Sequence, residues 1–153
     1  DVVKAIYDCY PPAIEENYLH RVRTKDSTAL HLACRYKTSA EVICFVASKF
    51  PAAVREKNCF GYTPLHYVCR TRRPVEVVSF LLKLWPDAVS ARSCYGETPL
   101  HLAFFNASIE TVSVLLEYSP QAARLKDREG QTPFHHACDG YVRTLKEMLF
   151  LLE

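Results

Sequence analysis

Six histidines and seven cysteines are the side chains of this 153-residue chain with the widest chemical range. His31-x-x-Cys34, His66-x-x-Cys69 and His135-x-x-Cys138 each set an imidazole and a thiol three residues apart, which on a helix puts both on one face. Zinc accepts either ligand atom, and a thiol beside an imidazole is also the start of a nucleophilic site. Repetition argues against catalysis. A Cys–His nucleophile needs one base aimed at one activated thiolate and a pocket for the oxyanion, so a pair copied to several places makes a poor single active site. A phosphate-cradling loop is excluded, since only Gly130 and Gly140 of the four glycines lie near one another and they fall in different elements. A disulfide framework fits no better: the cysteine count is odd, no CxxC occurs, and Cys34–Cys69 and Cys59–Cys94 are both 35 residues apart. Cysteines at a fixed long period occupy equivalent places in a repeat. We therefore expect reduced thiols, mostly buried as small apolar residues, in an intracellular chain.

The elements that carry these side chains recur with the same period. Thr28-Ala29-Leu30-His31, Thr63-Pro64-Leu65-His66, Thr98-Pro99-Leu100-His101 and Thr132-Pro133-Phe134-His135 begin 35, 35 and 34 residues apart. Gly61, Gly96 and Gly130 each stand two places before the Thr, and Pro51, Pro86 and Pro120 each stand twelve places before it. Thr-Pro is a helix start, because the hydroxyl accepts from an orphan N–H and Pro at the first helical position gives up no bond. The spacing predicts a short helix from Pro64 to about Arg70, a break at Thr71 to Pro74, and a second helix through Val77, Val78, Phe80, Leu81, Leu82 and Trp85. That second helix is apolar around most of its circumference and needs neighbours on both sides. Pro86 ends it, an extended stretch from Ala88 to Ser93 follows, and Gly96 supplies a left-handed residue for a tight turn into the next Thr-Pro.

Turn, short helix and long apolar helix, copied in phase, resemble the ankyrin-repeat family, whose pattern is T-P-L-H-x-A. Thr98 to Ala103 matches it in full, His31-Leu32-Ala33 and His135-His136-Ala137 keep its second half, and Tyr67-Val68 replaces Leu-Ala in the copy at Thr63. The resemblance implies an all-α solenoid of stacked helix-turn-helix units with β-turn or hairpin connections. It makes residues 1–153 one array: 1–14 as the second helix of a preceding repeat, then repeats at 15–54, 55–89 and 90–123, and a final one at 124–153. The departures are Pro11, Pro51, Pro86 and Pro120 where the family usually has a capping Gly, and a five-residue insertion within 15–25. The apolar ends, near Val2 to Tyr10 and Met148 to Leu152, lead us to expect an excerpt of a longer array or a cap from another domain. The resemblance also gives His31, His66, His101 and His135 a structural role, bridging turn backbone within and between repeats. Helices stacked about 8 to 10 Å apart cannot bring His–Cys pairs of successive layers to one zinc ion, so no metal and no cofactor is expected.

Function then has to lie on a surface. A net charge of +2, with 49% hydrophobic and 24% charged residues, gives no nucleic-acid footprint and no disorder. The longest apolar runs, such as Val42 to Ala47, fall far short of the roughly 20 residues of a membrane span. Carried over by position, the family's recognition residues are Thr24, Lys25, Ser27, Arg35 and Tyr36 in the first copy, and Cys59, Phe60, Tyr62, Arg70 and Thr71 in the second. The third supplies Cys94, Tyr95, Glu97, Phe105 and Asn106, and the fourth Arg128, Glu129, Gln131 and Asp139. Of these, Arg35, Tyr36, Phe60, Tyr62, Arg70, Tyr95, Glu97 and Phe105 form the candidate partner-binding set, being rich in the aromatics and arginines that dominate interfaces. Residues 1–97 carry net +4 and 98–153 net −2. An acidic partner is thus expected toward Lys25, Arg35, Lys57, Arg70, Arg72 and Arg73. The readings are a non-catalytic scaffold binding a protein partner, a structural subunit buried in a multi-subunit assembly, or a repeat segment attached to an enzyme whose chemistry lies elsewhere.

Overall fold

The computed structural model describes residues 27–36 and 38–139, so the expectations for a helix at 1–14, an insertion within 15–25 and a last helix near 142–152 lie outside the described residues. The described residues hold seven α-helices and no β-strand. They run α1 Ala29–Arg35, α2 Ala40–Lys49, α3 Pro64–Arg70, α4 Val75–Leu84, α5 Pro99–Asn106, α6 Ile109–Tyr118 and α7 Pro133–Asp139. Short inner helices stack in the order α1, α3, α5, α7, and long outer helices in the order α2, α4, α6.

The stack exists because no pair can bury its own apolar surface. Leu30, Leu65 and Leu100, third residue of the motif in each layer, are fully buried, as are Ile43, Leu81, Leu82 and Leu115 on the outer helices. A buried leucine contributes roughly 2 kcal/mol relative to an exposed one, and each of these reaches that state only with the next layer in place. Pro64 and Pro99 fill the first helical position after Thr63 and Thr98. At the other end the prolines solve the helix-stop problem in their own way. Phe50, Trp85 and Ser119 donate their N–H to Val46, Leu81 and Leu115, and Pro51–Val54, Pro86–Ser90 and Pro120–Arg124 then coil into 3₁₀ turns. The stretch expected to be extended from Ala88 is therefore 3₁₀ as far as Ser90, because Ala88 donates back to the Trp85 carbonyl at 3.1 Å. Phe50 and Trp85 pack half-buried against the core at these stops.

Each turn tip is built by one polar residue and one glycine. Asn58 Oδ1 accepts the N–H groups of Phe60 and Tyr62 at 3.0 and 2.9 Å, and Asp127 Oδ1 accepts those of Glu129 and Gln131, both at 2.9 Å. In the middle layer Ser93 Oγ accepts from Tyr95 N–H at 3.1 Å. Gly61, Gly96 and Gly130 follow at φ of +75°, +81° and +80°, a left-handed conformation that glycine adopts without steric cost. The tips are laced to each other: Cys94 N–H donates to the Phe60 carbonyl at 2.8 Å and Arg128 N–H to the Tyr95 carbonyl at 2.9 Å.

Beneath the tips runs a ladder of histidines. The Thr28 N–H donates to His31 Nδ1 at 3.2 Å, so Nδ1 carries no proton and Nε2 does, donating to the Tyr62 carbonyl of the next layer at 2.9 Å. His66 repeats this between Thr63 N–H at 3.1 Å and the Glu97 carbonyl at 3.2 Å, and His101 between Thr98 N–H and the Gln131 carbonyl. Each ring ties its own cap to the following turn, the role expected for it. Burial lowers the pKa of all three, that of His66 to about 3.

Arg73, counted in the sequence among groove cations, serves the fold instead. Its guanidinium donates to the carbonyls of Cys34 at 3.1 Å, Thr38 at 2.9 Å and Ala33 at 3.4 Å, closing the end of α1 one layer away. Arg73→Met keeps the stem and removes every donor, and is expected to cost about 2 to 3 kcal/mol because partly buried carbonyls lose charged partners. Urea unfolding checks this; a midpoint equal to that of the parent protein would show that water replaces the guanidinium without loss.

Candidate functional site

Neither Cys34 nor Cys69, the thiols of α1 and α3, offers a nucleophile. Cys34 and Cys69 are fully buried, and burial pushes both thiols far above the ordinary range, opposite to activation. The expectation that most cysteines are buried needs correcting: Cys59, Cys94 and Cys138 are exposed and Cys44 is half-buried. Cys59 and Cys94 sit on turn tips, where the layer presents an edge and not a core face.

One trio of metal-type side chains escaped the sequence reading. Ligand atoms of His101, Asp127 and His136 lie within 4.8 Å of one another. Both ring nitrogens of His101 are already committed to the ladder, and His136 Nε2 pairs with Asp127 Oδ2 at 2.8 Å. Burial alone would raise the Asp127 pKa, but the His136 contact and the N–H groups of Gln131 and Glu129 outweigh it and hold the carboxyl below its usual range. The geometry is that of a partly buried hydrogen-bonded pair bracing that turn. Its counterpart is Asn58 Nδ2 donating to Tyr67 Oη at 2.9 Å, a pair with the same nine-residue separation. The signal was Tyr67 and His136 standing where the other two copies carry Leu32 and Leu102.

The candidate binding residues separate into a cluster and its flanks. Arg35, Phe60, Tyr62, Arg70 and Tyr95 line one open cavity of about 260 Å³ across the first three layers, with Tyr67 as its sixth wall. Arg35 and Arg70 hold the same register position at the ends of α1 and α3, and both are exposed. Tyr62 meets the Tyr67 ring edge-on at 5.9 Å and the Tyr95 ring at a tilt at 6.3 Å. Its hydroxyl donates to Glu97 Oε2 at 2.6 Å. Burial, and then that carboxylate, raise the Tyr62 pKa, so the phenol keeps its proton. Glu97 is thereby a brace behind Tyr62. Tyr36 lies outside the cavity, its ring 5.5 Å from the Arg35 guanidinium carbon, and Phe105 stands on α5 one layer further along.

Other positions named from the sequence are spent locally. Thr71 Oγ1 donates within reach of the Cys34 and Tyr67 carbonyls at 3.0 and 2.7 Å, Ser27 is buried, and Lys57 Nζ donates to the Arg92 carbonyl at 3.0 Å. Thr24 and Lys25 fall outside the described residues. No helix among the described residues is long and apolar enough to cross a membrane.

A comparison with curated proteins gives no match. A family model described as "Ankyrin repeats (3 copies)" matches residues 2–92 and 84–151. Ankyrin repeats are in general protein–protein interaction modules, and proteins built from them are typically non-enzymatic scaffolds. By sequence model, helix order and interlayer histidine ladder alike, this chain belongs to the ankyrin-repeat family.

Proposed function

We propose that this chain is a non-catalytic interaction scaffold, or the ankyrin segment of a larger protein, that holds a protein partner on its turn tips and inner-helix face. The gripping residues are Arg35, Tyr36, Phe60, Tyr62, Arg70, Tyr95 and Phe105, with Glu97 acting through Tyr62, whose hydroxyl it holds. In this reading 15–54, 55–89, 90–123 and 124–153 are successive repeats and one array presents one continuous surface.

The observation that carries it is where large apolar side chains remain in water. Among the described residues the exposed ones are Tyr36, Tyr95, Phe105 and Tyr118, the first three at 59%, 53% and 53% exposure. Those three stand on the inner-helix and turn-tip side; Tyr36 lies against the Arg35 guanidinium, Tyr95 lines the cavity with Arg35 and Arg70, and Phe105 stands one layer further along. Exposed aromatics with arginine are costly for solubility and productive in interfaces, since they bury large areas with few rotors to immobilise.

A photo-crosslinking side chain at position 94, on the tip, and another at Glu117, on α6, test the assignment in cells. Adducts are expected from position 94 and not from 117. Replacing Tyr36, Arg70, Tyr95 and Phe105 together by Ala should reduce those adducts more than tenfold while the melting temperature moves by only a few degrees, because all four are exposed. Undiminished adducts from the fourfold variant would refute the surface.

A further inference from the structure

Resting on that reading of the surface, we infer that the cavity between the first three layers takes a carboxylate, the acidic side chain of an extended peptide segment of the partner. Its donors are the Tyr67 hydroxyl and the guanidinium groups of Arg35 and Arg70.

The Tyr67 hydroxyl points to this chemistry. Tyr67 is 7% exposed and lines the cavity, yet its oxygen is used as an acceptor, by Asn58 Nδ2 at 2.9 Å. The O–H hydrogen has no acceptor among the described residues. A buried phenol with an unspent proton at a cavity wall asks for an acceptor from outside. Two cations flank it. Neither Arg35 nor Arg70 makes an ion pair among the described residues, and both line the same cavity. Of the cations that the sequence grouped here, Arg73 is consumed by the carbonyls of the preceding layer and Lys57 by the Arg92 carbonyl. Glu97, which accepts from the cavity residue Tyr62, is held by Tyr62 Oη and Ser93 Oγ and does not itself line the cavity.

A carboxylate accepts an O–H and a forked guanidinium at once, and charge-assisted bonds of this kind are about twice as strong as neutral ones. The rings of Phe60, Tyr62 and Tyr95 would then pack against the peptide's apolar atoms. A cationic or quaternary-ammonium group is disfavoured here, although the aromatic walls alone would suit one, because Arg35 and Arg70 repel it.

The test is a displayed library of random twelve-residue peptides, selected on the full chain and measured by fluorescence polarisation. Recovered peptides should carry Asp or Glu, and changing that residue to its amide should weaken binding about tenfold. Arg70→Gln should cost a similar factor, and the two changes together should cost little more than either alone, the signature of one shared contact. Arg70 is exposed, so its variant folds whether or not Tyr67→Phe does; Tyr67→Phe should add a further loss with the ring retained. Peptides that depend on Phe60 and Tyr95 but are indifferent to the acid-to-amide change would overturn the carboxylate and leave the surface standing. Recovery equal to that on an Arg35→Gln, Arg70→Gln double variant would likewise overturn the carboxylate alone, whereas binding indifferent to Phe60, Tyr95 and Arg70 together would overturn both.

Discussion

Gly96→Ala is expected to destabilise the protein by roughly 3 to 5 kcal/mol, and Gly61→Ala by a similar amount, while Gly130→Ala costs only about 1 kcal/mol. All three glycines have φ near +80°, so the cost of a left-handed alanine is common to them. What differs is the neighbour. A Cβ on Gly96 would lie 2.8 Å from the Arg128 backbone nitrogen, and one on Gly61 would lie 2.7 Å from that of Cys94, whereas one on Gly130 meets nothing within 4 Å. Backbone cannot rotate aside as a side chain can. The following turn must move off, and the bonds from Cys94 N–H to the Phe60 carbonyl and from Arg128 N–H to the Tyr95 carbonyl weaken with it. Urea midpoints of the three variants decide the matter; equal losses at all three would mean that the tips are not in contact. Phe60 and Tyr95 are borne on the tips so displaced, so peptide binding should fall with stability in the first two variants only.

Acid is expected to unfold the protein well before carboxylates are fully protonated. A histidine whose folded pKa lies below its unfolded value of 6.5 binds more protons when unfolded, so stability is fully present above that pH and is lost as the pH falls toward the folded value. For His66 the window runs from 6.5 down to about 3. This single ring therefore removes about 2 kcal/mol by pH 5 and about 4 kcal/mol by pH 3. His31 and His101 are shifted in the same direction by burial. Protonation at Nδ1 would also set two N–H groups against each other at the cap, where Thr63 now donates at 3.1 Å. The depressed Asp127 carboxyl adds to the loss only at still lower pH, since its stabilisation fades below the ordinary aspartate value. Urea midpoints measured from pH 7.5 to 4 should decline steeply below about 6.5. A flat profile from 7.5 to 5 would show that the rings are not buried bases.

The helix boundaries of α3, the Thr-Pro starts and the three left-handed glycines were legible because each depends on contacts within a few residues. Pro at a first helical position and Gly at a turn carry their own backbone restrictions wherever they occur. The ladder role of His31, His66 and His101 came through the family resemblance, and the hydrogen bonds between layers agree with it. Three features stayed hidden. Arg73 looked like a surface cation because its carbonyl partners lie 35 to 40 residues back along the chain. Tyr67 read only as a replacement for Leu in the copy at Thr63, because what that exchange does depends on Asn58. The 3₁₀ turn Pro86–Ser90 was hidden behind an expected extended stretch from Ala88, because a proline stop does not say how the next four residues pack.

By itself, then, the sequence determined the repeat: its period, its element order and the conformations its prolines and glycines demand, all of which are local steric facts. Only the tertiary structure decided which polar groups are already satisfied and which are left over. That sorting requires donors and acceptors from different layers to be set side by side. It is what separates Arg73, spent on carbonyls, from Arg70, left to face the cavity.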